Sequence, residues 1–351
     1  MKLNLSWWKI LGVILTIYVL IAGFKVPLQP GILEYSENKA FAGQAFSTDL
    51  TTYNTYLKKA TDLNVWIWLP NDQLIKANGT EVINDTKVKA DFLIPTDIEI
   101  KNGKSILATL MIDNAEEGHY FIRRAVTIKN ESEANLHPGQ FFDLSVIKSK
   151  TRFAFPFQHI LYETLRNTFF HVAIWMSMFA LLLVSCYHSI MYLKSSDQIH
   201  DKKSSSLTTV ALVFGIAGLL TGSVWAKYTW GAFWTSDVKL NMTAISLLIY
   251  FGYWILRGSL NDMEVRARIS SVFNLFAFVC LMILVMVIPR LSEGSLHPGN
   301  GGNPAFSTYD LDSAMRLVFY PAIVAYFLIG LWISELLFRY AKLEEKITFD
   351  I

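Results

Sequence analysis

The stretch GSVWAKYTWGAFWTSDVKLN, residues 222–241, decides how the rest of the chain is read. Trp225, Trp230 and Trp234 fall close together, with Tyr228 and Phe233 between them, and long apolar segments lie on either side. A loop at a membrane edge is the expected setting, because tryptophan and tyrosine collect where an apolar ring face and a hydrogen-bonding group are both useful. The same rings can instead wall a flat apolar ligand. The order of the residues around them bears on that second reading.

Outward from this loop, six segments are long and apolar enough to cross a bilayer core, which takes roughly 20 residues. They run over approximately 7–25, 169–193, 206–226, 240–257, 270–290 and 316–338. Of the 351 residues, 52% are hydrophobic and only 17% charged, against roughly 25% charged in soluble domains. The net charge of +2 leaves no basic surplus for phosphates, which excludes nucleic acid as a partner. Cys186 and Cys280 both sit in apolar segments, so neither a structural disulfide nor a CxxC site is expected. Walker, HExxH and GxSxG motifs are absent. Paired charges near the bilayer midplane are almost lacking, which speaks against a small-solute transporter, and Glu335 reads as a snorkelling side chain. No A-x-A signature follows Ala22-Gly23, so the first span is expected to stay as an anchor.

Basic residues set the expected orientation. Lys2 and Lys9 precede the first span; Lys194, Lys202 and Lys203 follow the second; Arg257, Arg266 and Arg268 follow the fourth; Arg339, Lys342 and Lys346 follow the sixth. The opposite short loops hold fewer, Lys227 and Lys239 in one and Arg290 and Arg316 in the other. The positive-inside rule then places both termini in the cytoplasm and the tryptophan stretch outside.

Between the first two spans the composition turns to that of a soluble domain. Val65 to Leu69, Lys87 to Phe92, Ile106 to Ile112 and Phe121 to Ile128 alternate or are rich in β-branched and aromatic residues. Turn residues separate them at Pro70-Asn71-Asp72, Asn78-Gly79, Asn102-Gly103 and Asp113-Asn114, which predicts a small β-sandwich. His119 and His137 stand there without neighbouring ligands, so the domain reads as a docking or structural module. Residues 153–170, FAFPFQHILYETLRNTFF, predict an amphipathic helix on the outer leaflet. The expected fold is therefore a polytopic α-helical membrane protein of about six transmembrane helices, with an all-β, sandwich-like extracytoplasmic domain inserted between helices 1 and 2. The expected divisions are an anchor at 1–25, the β-rich domain at 26–150 and an interfacial segment at 151–168. A five-helix membrane domain follows at 169–340, with its tryptophan loop at 222–241, and then a cytoplasmic tail at 341–351.

His171 opens the second span and His297 lies in the outer loop before the last, so both belong near the depth of the tryptophan loop. Either can be a histidine that bonds a headgroup or a carbonyl. As a pair they can hold a haem iron from opposite faces, with Lys227, Lys239 or Arg166 meeting the propionates. His188 and His200 read as structural or solvated, and nothing singles out His159. Asp237 is placed to cap the helix that follows it.

Residue order then carries a resemblance. Gly222-Ser223-Val224-Trp225-Ala226-Lys227, Trp230-Gly231-Ala232-Phe233-Trp234 and Asp237 resemble the "WWD" signature of haem-handling membrane proteins, close to GSxWxKxxWGxxWxWDxRLT. His171 in FFHVAIWMSM, His297 in SLHPGN and the DSAMR at 312–316 fall where the cytochrome c maturation protein C (CcmC) family has its two histidines and its DPAMR. The resemblance covers about 160–340 and the first span. It implies that His171 and His297 are axial ligands of haem b on the outer face of a bacterial inner membrane. Trp225, Lys227, Trp230, Gly231, Trp234, Asp237 and Lys239 then stand around the porphyrin as cofactor-binding positions. It also implies delivery of haem to a periplasmic chaperone (CcmE-like), association with CcmA-, CcmB- and CcmD-like partners, and no conventional enzyme chemistry. Ser236 replaces the usual tryptophan, Lys239 the usual arginine and Ala173 a common proline, and the β-rich insertion replaces a short loop. Two alternatives stand beside it. One is a CcsA-type cytochrome c synthetase, whose WDPKE differs from Asp237-Val238-Lys239-Leu240; the other is a membrane-anchored binding module worked by the β-domain.

Overall fold

The computed structural model describes residues 6–100, 105–130, 138–147, 153–159, 161–292, 295–297 and 311–349. His137, the Asn102-Gly103 turn and the outer-loop stretch from Pro298 to Pro304 lie outside the described residues. Contacts divide the chain into two units, one of residues 1–26 with 163–351 and one of residues 27–162.

The second unit is all β apart from short 3-10 turns. Strands β1 (Gly31–Tyr35), β3 (Ala45–Tyr53), β7 (Lys87–Leu93) and β6 (Gly79–Asn84) form one antiparallel sheet in that order. A second sheet runs β10 (Phe141–Asp143), β5 (Gln73–Lys76), β4 (Asn64–Trp68), β8 (Ile106–Asn114), β9 (Gly118–Lys129) and β2 (Lys39–Phe41). Alternation aims one face of each strand inward. Phe46 and Leu50 of β3 and Val88, Ala90 and Phe92 of β7 meet Val65, Ile67, Leu110, Ile112 and Val126 of the other sheet in one core. That is a sandwich. All four expected strands are present, and β1, β2, β3, β5, β6 and β10 join them.

The interfacial segment differs from expectation. Residues 153–159 are extended and belong to this β unit, where Phe155 is fully buried beside Leu28 and exchanges backbone bonds with Pro27 and Gln29. Pro156 disfavours a helical conformation in the residue before it, which explains the absence of a helix there. Helical geometry starts only at Tyr162–Phe169, as a 3-10 helix.

The other unit carries six helices long and apolar enough to cross a membrane, the architecture of a polytopic membrane protein. They are α1 (Trp7–Lys25), α2 (His171–Ser195), α3 (Gln198–Trp230) and α4 (Val238–Ser259), then α5 (Met263–Met282) continued by a π turn and α6 (Ile288–Leu291), and last α7 (Ser313–Phe349). Asp197, Asp237 and Asp262 cap α3, α4 and α5 by accepting from first-turn N–H groups. Residues 341–349 continue α7. Pro321 inside α7 cannot donate to the Leu317 carbonyl one turn earlier; the Tyr18 hydroxyl of α1 donates to it instead, at 3.0 Å.

Ion pairs join the helices at Asp201 and Lys9, each in the first turn of its own helix. Asp201 accepts both terminal nitrogens of Arg257, at 2.8 and 2.6 Å, and Lys9 meets Glu335 at 2.6 Å. Glu335 is therefore an ion-pair partner shared by Lys9 and Arg339, where snorkelling was expected.

Candidate functional site

The start of α2, the end of α3, the start of α4 and the loop before α7 converge at one end of the helical unit. His171 is the first residue of α2, and its Nδ1 lies 2.9 Å from the Gly218 carbonyl of α3. A carbonyl only accepts, so Nδ1 carries the proton and Nε2 carries the free lone pair. The helices meet this closely because glycines face the large side chains of α2. A Cβ on Gly218 would come within 2.6 Å of Trp175, and one on Gly222 within 2.5 Å of the His171 ring.

His297 is held in the same way by a different acceptor. Its Nδ1 lies 3.0 Å from Oδ1 of Asp237. Asp237 is almost fully buried and accepts four further bonds, from the backbone of Lys239, Leu240 and Leu296 and from the Ser295 hydroxyl. Burial works to raise its carboxyl pKa, but these bonds and the neighbouring imidazole outweigh it and hold Asp237 below its ordinary range. It stays ionised, so His297 too donates from Nδ1 and presents Nε2. Burial first, and then the Lys239 ammonium, push His297 down to about 4 against the opposing pull of Asp237. Its ring is therefore in the neutral, metal-binding form at neutral pH. Asp237 caps α4 as the sequence predicts, and orients His297 besides.

The tryptophans do not share one loop. Gly222 to Trp230 are the last turns of α3; Gly231, at φ +83°, ends the helix, and only the residues from Gly231 to Asp237 are loop. Trp225 packs edge-on against His171 with centroids 5.8 Å apart, and its indole N–H donates to Thr164. Trp230 packs edge-on against His297 at 4.9 Å. Trp234 is partly exposed and donates to Asn241. Each histidine thus has its own tryptophan. His297 and Lys239 both lie within electrostatic reach of His171.

Two of the expected cations are engaged elsewhere. Lys227 donates to the Gly231 carbonyl and lies over Phe233. Arg166 donates to the carbonyls of Gly23 and Val26 and pairs with Glu163. Lys239 has no such bond from its ammonium among the described residues, and Arg290 of α6 lies within electrostatic reach of it. The sequence reading passed over Gly218 and Gly222, which face Trp175 and His171, and Ser295, which bonds Asp237. The spacing of Gly215, Gly218 and Gly222 was the one available signal, since small residues at such intervals let helices approach closely.

The family described as CcmC, Heme exporter protein C, matches residues 149–347. Heme exporter protein C of Bradyrhizobium diazoefficiens is 30% identical over 122 residues, 34% of this chain and 46% of that protein. The Escherichia coli (strain K12) protein of the same name is 25% identical over 146 residues, 40% of this chain and 58% of its own length. That of Paracoccus denitrificans is 24% identical over 136 residues, 39% and 56% respectively. The chain spans about half the length of the curated relatives it matches. Nearly all of the β unit falls outside the matched family region.

Proposed function

The chain belongs to the heme exporter protein C family, and on that premise we propose that it binds haem b between His171 and His297 and hands it on for cytochrome c maturation. One observation carries this reading: both imidazoles have Nδ1 bonded to an oxygen acceptor, which leaves both Nε2 atoms as ligands for iron. The donor set fits haem, for which two neutral imidazoles are a low-spin axial pair. Trp225 and Trp230 flank the two ligands with apolar ring surface.

In this reading the site faces the periplasm, with both termini in the cytoplasm, as the distribution of basic residues supports. The receiver is a periplasmic haem chaperone of the CcmE kind, with CcmA-, CcmB- and CcmD-like proteins as the membrane assembly. The chain supplies binding, orientation and release, and any bond to the porphyrin is made on the receiver.

The test is the visible spectrum and pyridine haemochrome of the detergent-purified protein supplied with haem. The parent is expected to show a low-spin b-type spectrum, and His171→Ala and His297→Ala each to lose it or convert it to high spin. His188→Ala and His200→Ala are expected to leave it unchanged. Failure of the parent to take up haem, or an unchanged spectrum in both His171→Ala and His297→Ala, overturns the reading.

A further inference from the structure

The last helix is longer than a membrane needs. α7 holds 37 residues, about 55 Å of helix against a bilayer core of about 30 Å. Beyond the span it is tied to α3 by Glu345, which pairs with Lys202, and by Phe338, whose ring lies under the Lys203 ammonium. Another face of the same stretch carries Ile333, Leu336, Tyr340, Leu343 and Ile347, each between 40% and 63% exposed. Ile333 and Leu336 fall inside the expected span at 316–338, where lipid covers any apolar side chain. Tyr340, Leu343 and Ile347 do not. Ile347 stands about 13 Å further along the helix than residue 338, among Arg339, Lys342 and Lys346. Lipid does not explain an apolar stripe there.

The spacing of the stripe says what covers it. Its steps of three, four, three and four residues are those of a heptad seam between two helices. On that frame Ile333, Tyr340 and Ile347 take the a position, and Leu336 and Leu343 the d position. Isoleucine at a with leucine at d favours two parallel strands over three or four. Phe338 and Glu345 take f, on the far side from the seam, so the contact with α3 leaves the seam open. From this pattern we infer that α7 pairs two copies of this chain side by side through residues 333–347.

The charges beside the stripe fit a second copy. Arg339 takes the g position and Glu344, five residues on, the e position. In a parallel pair the g side chain of one helix meets that e side chain of the other, so Arg339 of each copy meets Glu344 of its partner. Arg339 pairs with Glu335 in its own helix, and a guanidinium has donors enough for both carboxylates. Two copies inserted the same way in one membrane hold their α7 helices parallel, as this frame requires. The pairing does not depend on the haem reading.

The experiment follows association of the full-length protein, in detergent by light scattering over a concentration series and in liposomes by energy transfer between labelled copies. The parent is expected to dimerise reversibly. Leu343→Asp with Ile347→Asp is expected to weaken the dimer about tenfold or more. Thermal unfolding is expected to stay unchanged, because both side chains are more than half exposed within their own chain. Glu344→Lys sets like charges across the seam and is expected to weaken the dimer less. Adding Arg339→Glu is expected to restore it, since both charges are then reversed in both copies. In a background of Cys186→Ala and Cys280→Ala, mild oxidation is expected to cross-link Leu343→Cys between copies and to leave Lys342→Cys, at the c position, uncoupled. A parent that stays monomeric in both media, a dimer undiminished by the two aspartates, or equal cross-linking at 342 and 343 overturns the pairing.

Discussion

The two ends of the helical unit use the same kinds of residue to opposite effect. At the end where α2 turns into α3, His188 and His200 face each other with their Nδ1 atoms 2.8 Å apart, one donating and the other accepting. Asp201 grips Arg257 with both oxygens. Ser185, Ser189, Ser204, Thr208 and Asn274 bond one another across three helices. Asp201 and Arg257 match charge with charge there, and the buried atoms without a hydrogen-bond partner nearby are Asn274 Oδ1, the hydroxyls of Ser270 and Ser271, and Nε of Arg266. At the other end His171 and His297 each use one nitrogen and keep one. Polar groups that satisfy one another hold helices together. Groups with an unused valence or charge make a site.

The comparison breaks most visibly at the matched end. Asp201→Asn removes one partner of a buried ion pair and leaves the guanidinium of Arg257 uncompensated, which costs about 3–5 kcal/mol. Replacing both partners by apolar residues, Asp201→Leu with Arg257→Met, is expected to recover most of that loss. Denaturant unfolding in detergent measures both, and whatever fraction of Asp201→Asn folds is expected to bind haem as the parent does. A loss below about 1 kcal/mol would put this pair in the class of weak surface bridges and remove the contrast.

Asp237→Asn is a smaller change at the open end. The carboxamide oxygen still caps α4, but its NH2 group cannot accept from the Leu296 N–H as Oδ2 does, so stability is expected to fall by about 1–3 kcal/mol. Orientation of His297 by a charged acceptor is lost, and loss of such an outer partner typically costs about 10–100-fold in affinity. Haem titration beside thermal unfolding separates the two roles. Equal losses in both would make Asp237 a cap alone.

Much of this was legible in the sequence because it depends on local pattern. The six spans, the Asp237 cap and four of the strands follow from hydropathy, first-turn chemistry and alternation. The boundaries were misread where hydropathy and helix part company. The tryptophan stretch is polar enough to resemble a loop, yet α3 continues to Trp230, because a helix ends at a backbone signal such as Gly231 and not where the lipid does. Across elements the sequence was nearly silent. Asp201 and Arg257 lie in different helices, and the contact of His188 with His200 requires the tight α2–α3 connection, where Ser196 adopts φ +58°. His171 and His297 could be paired because both fall at the outer edge of the spans near the tryptophan stretch, a pairing the resemblance then strengthened; no spacing in the chain brings them together.

The mildest prediction concerns that backbone signal. Gly231 sits in the left-handed region at φ +83° and ψ −9°, its N–H bonded to the Lys227 carbonyl, and a Cβ there would meet nothing within 4 Å. Alanine at this position therefore pays only for the conformation, about 1 kcal/mol. Gly222 is the opposite case, since a Cβ there would run into the His171 ring. If the open space beside Gly231 is solvent, Gly231→Ala lowers the unfolding free energy slightly and leaves haem affinity untouched. If the porphyrin edge lies against it, affinity falls by more than the stability change accounts for. The expected outcome is the second, because Gly231 immediately follows Trp230, whose ring touches His297, and its carbonyl holds Lys227. Measuring affinity and stability on the same preparation assigns Gly231 either to the helix it ends or to the site it borders.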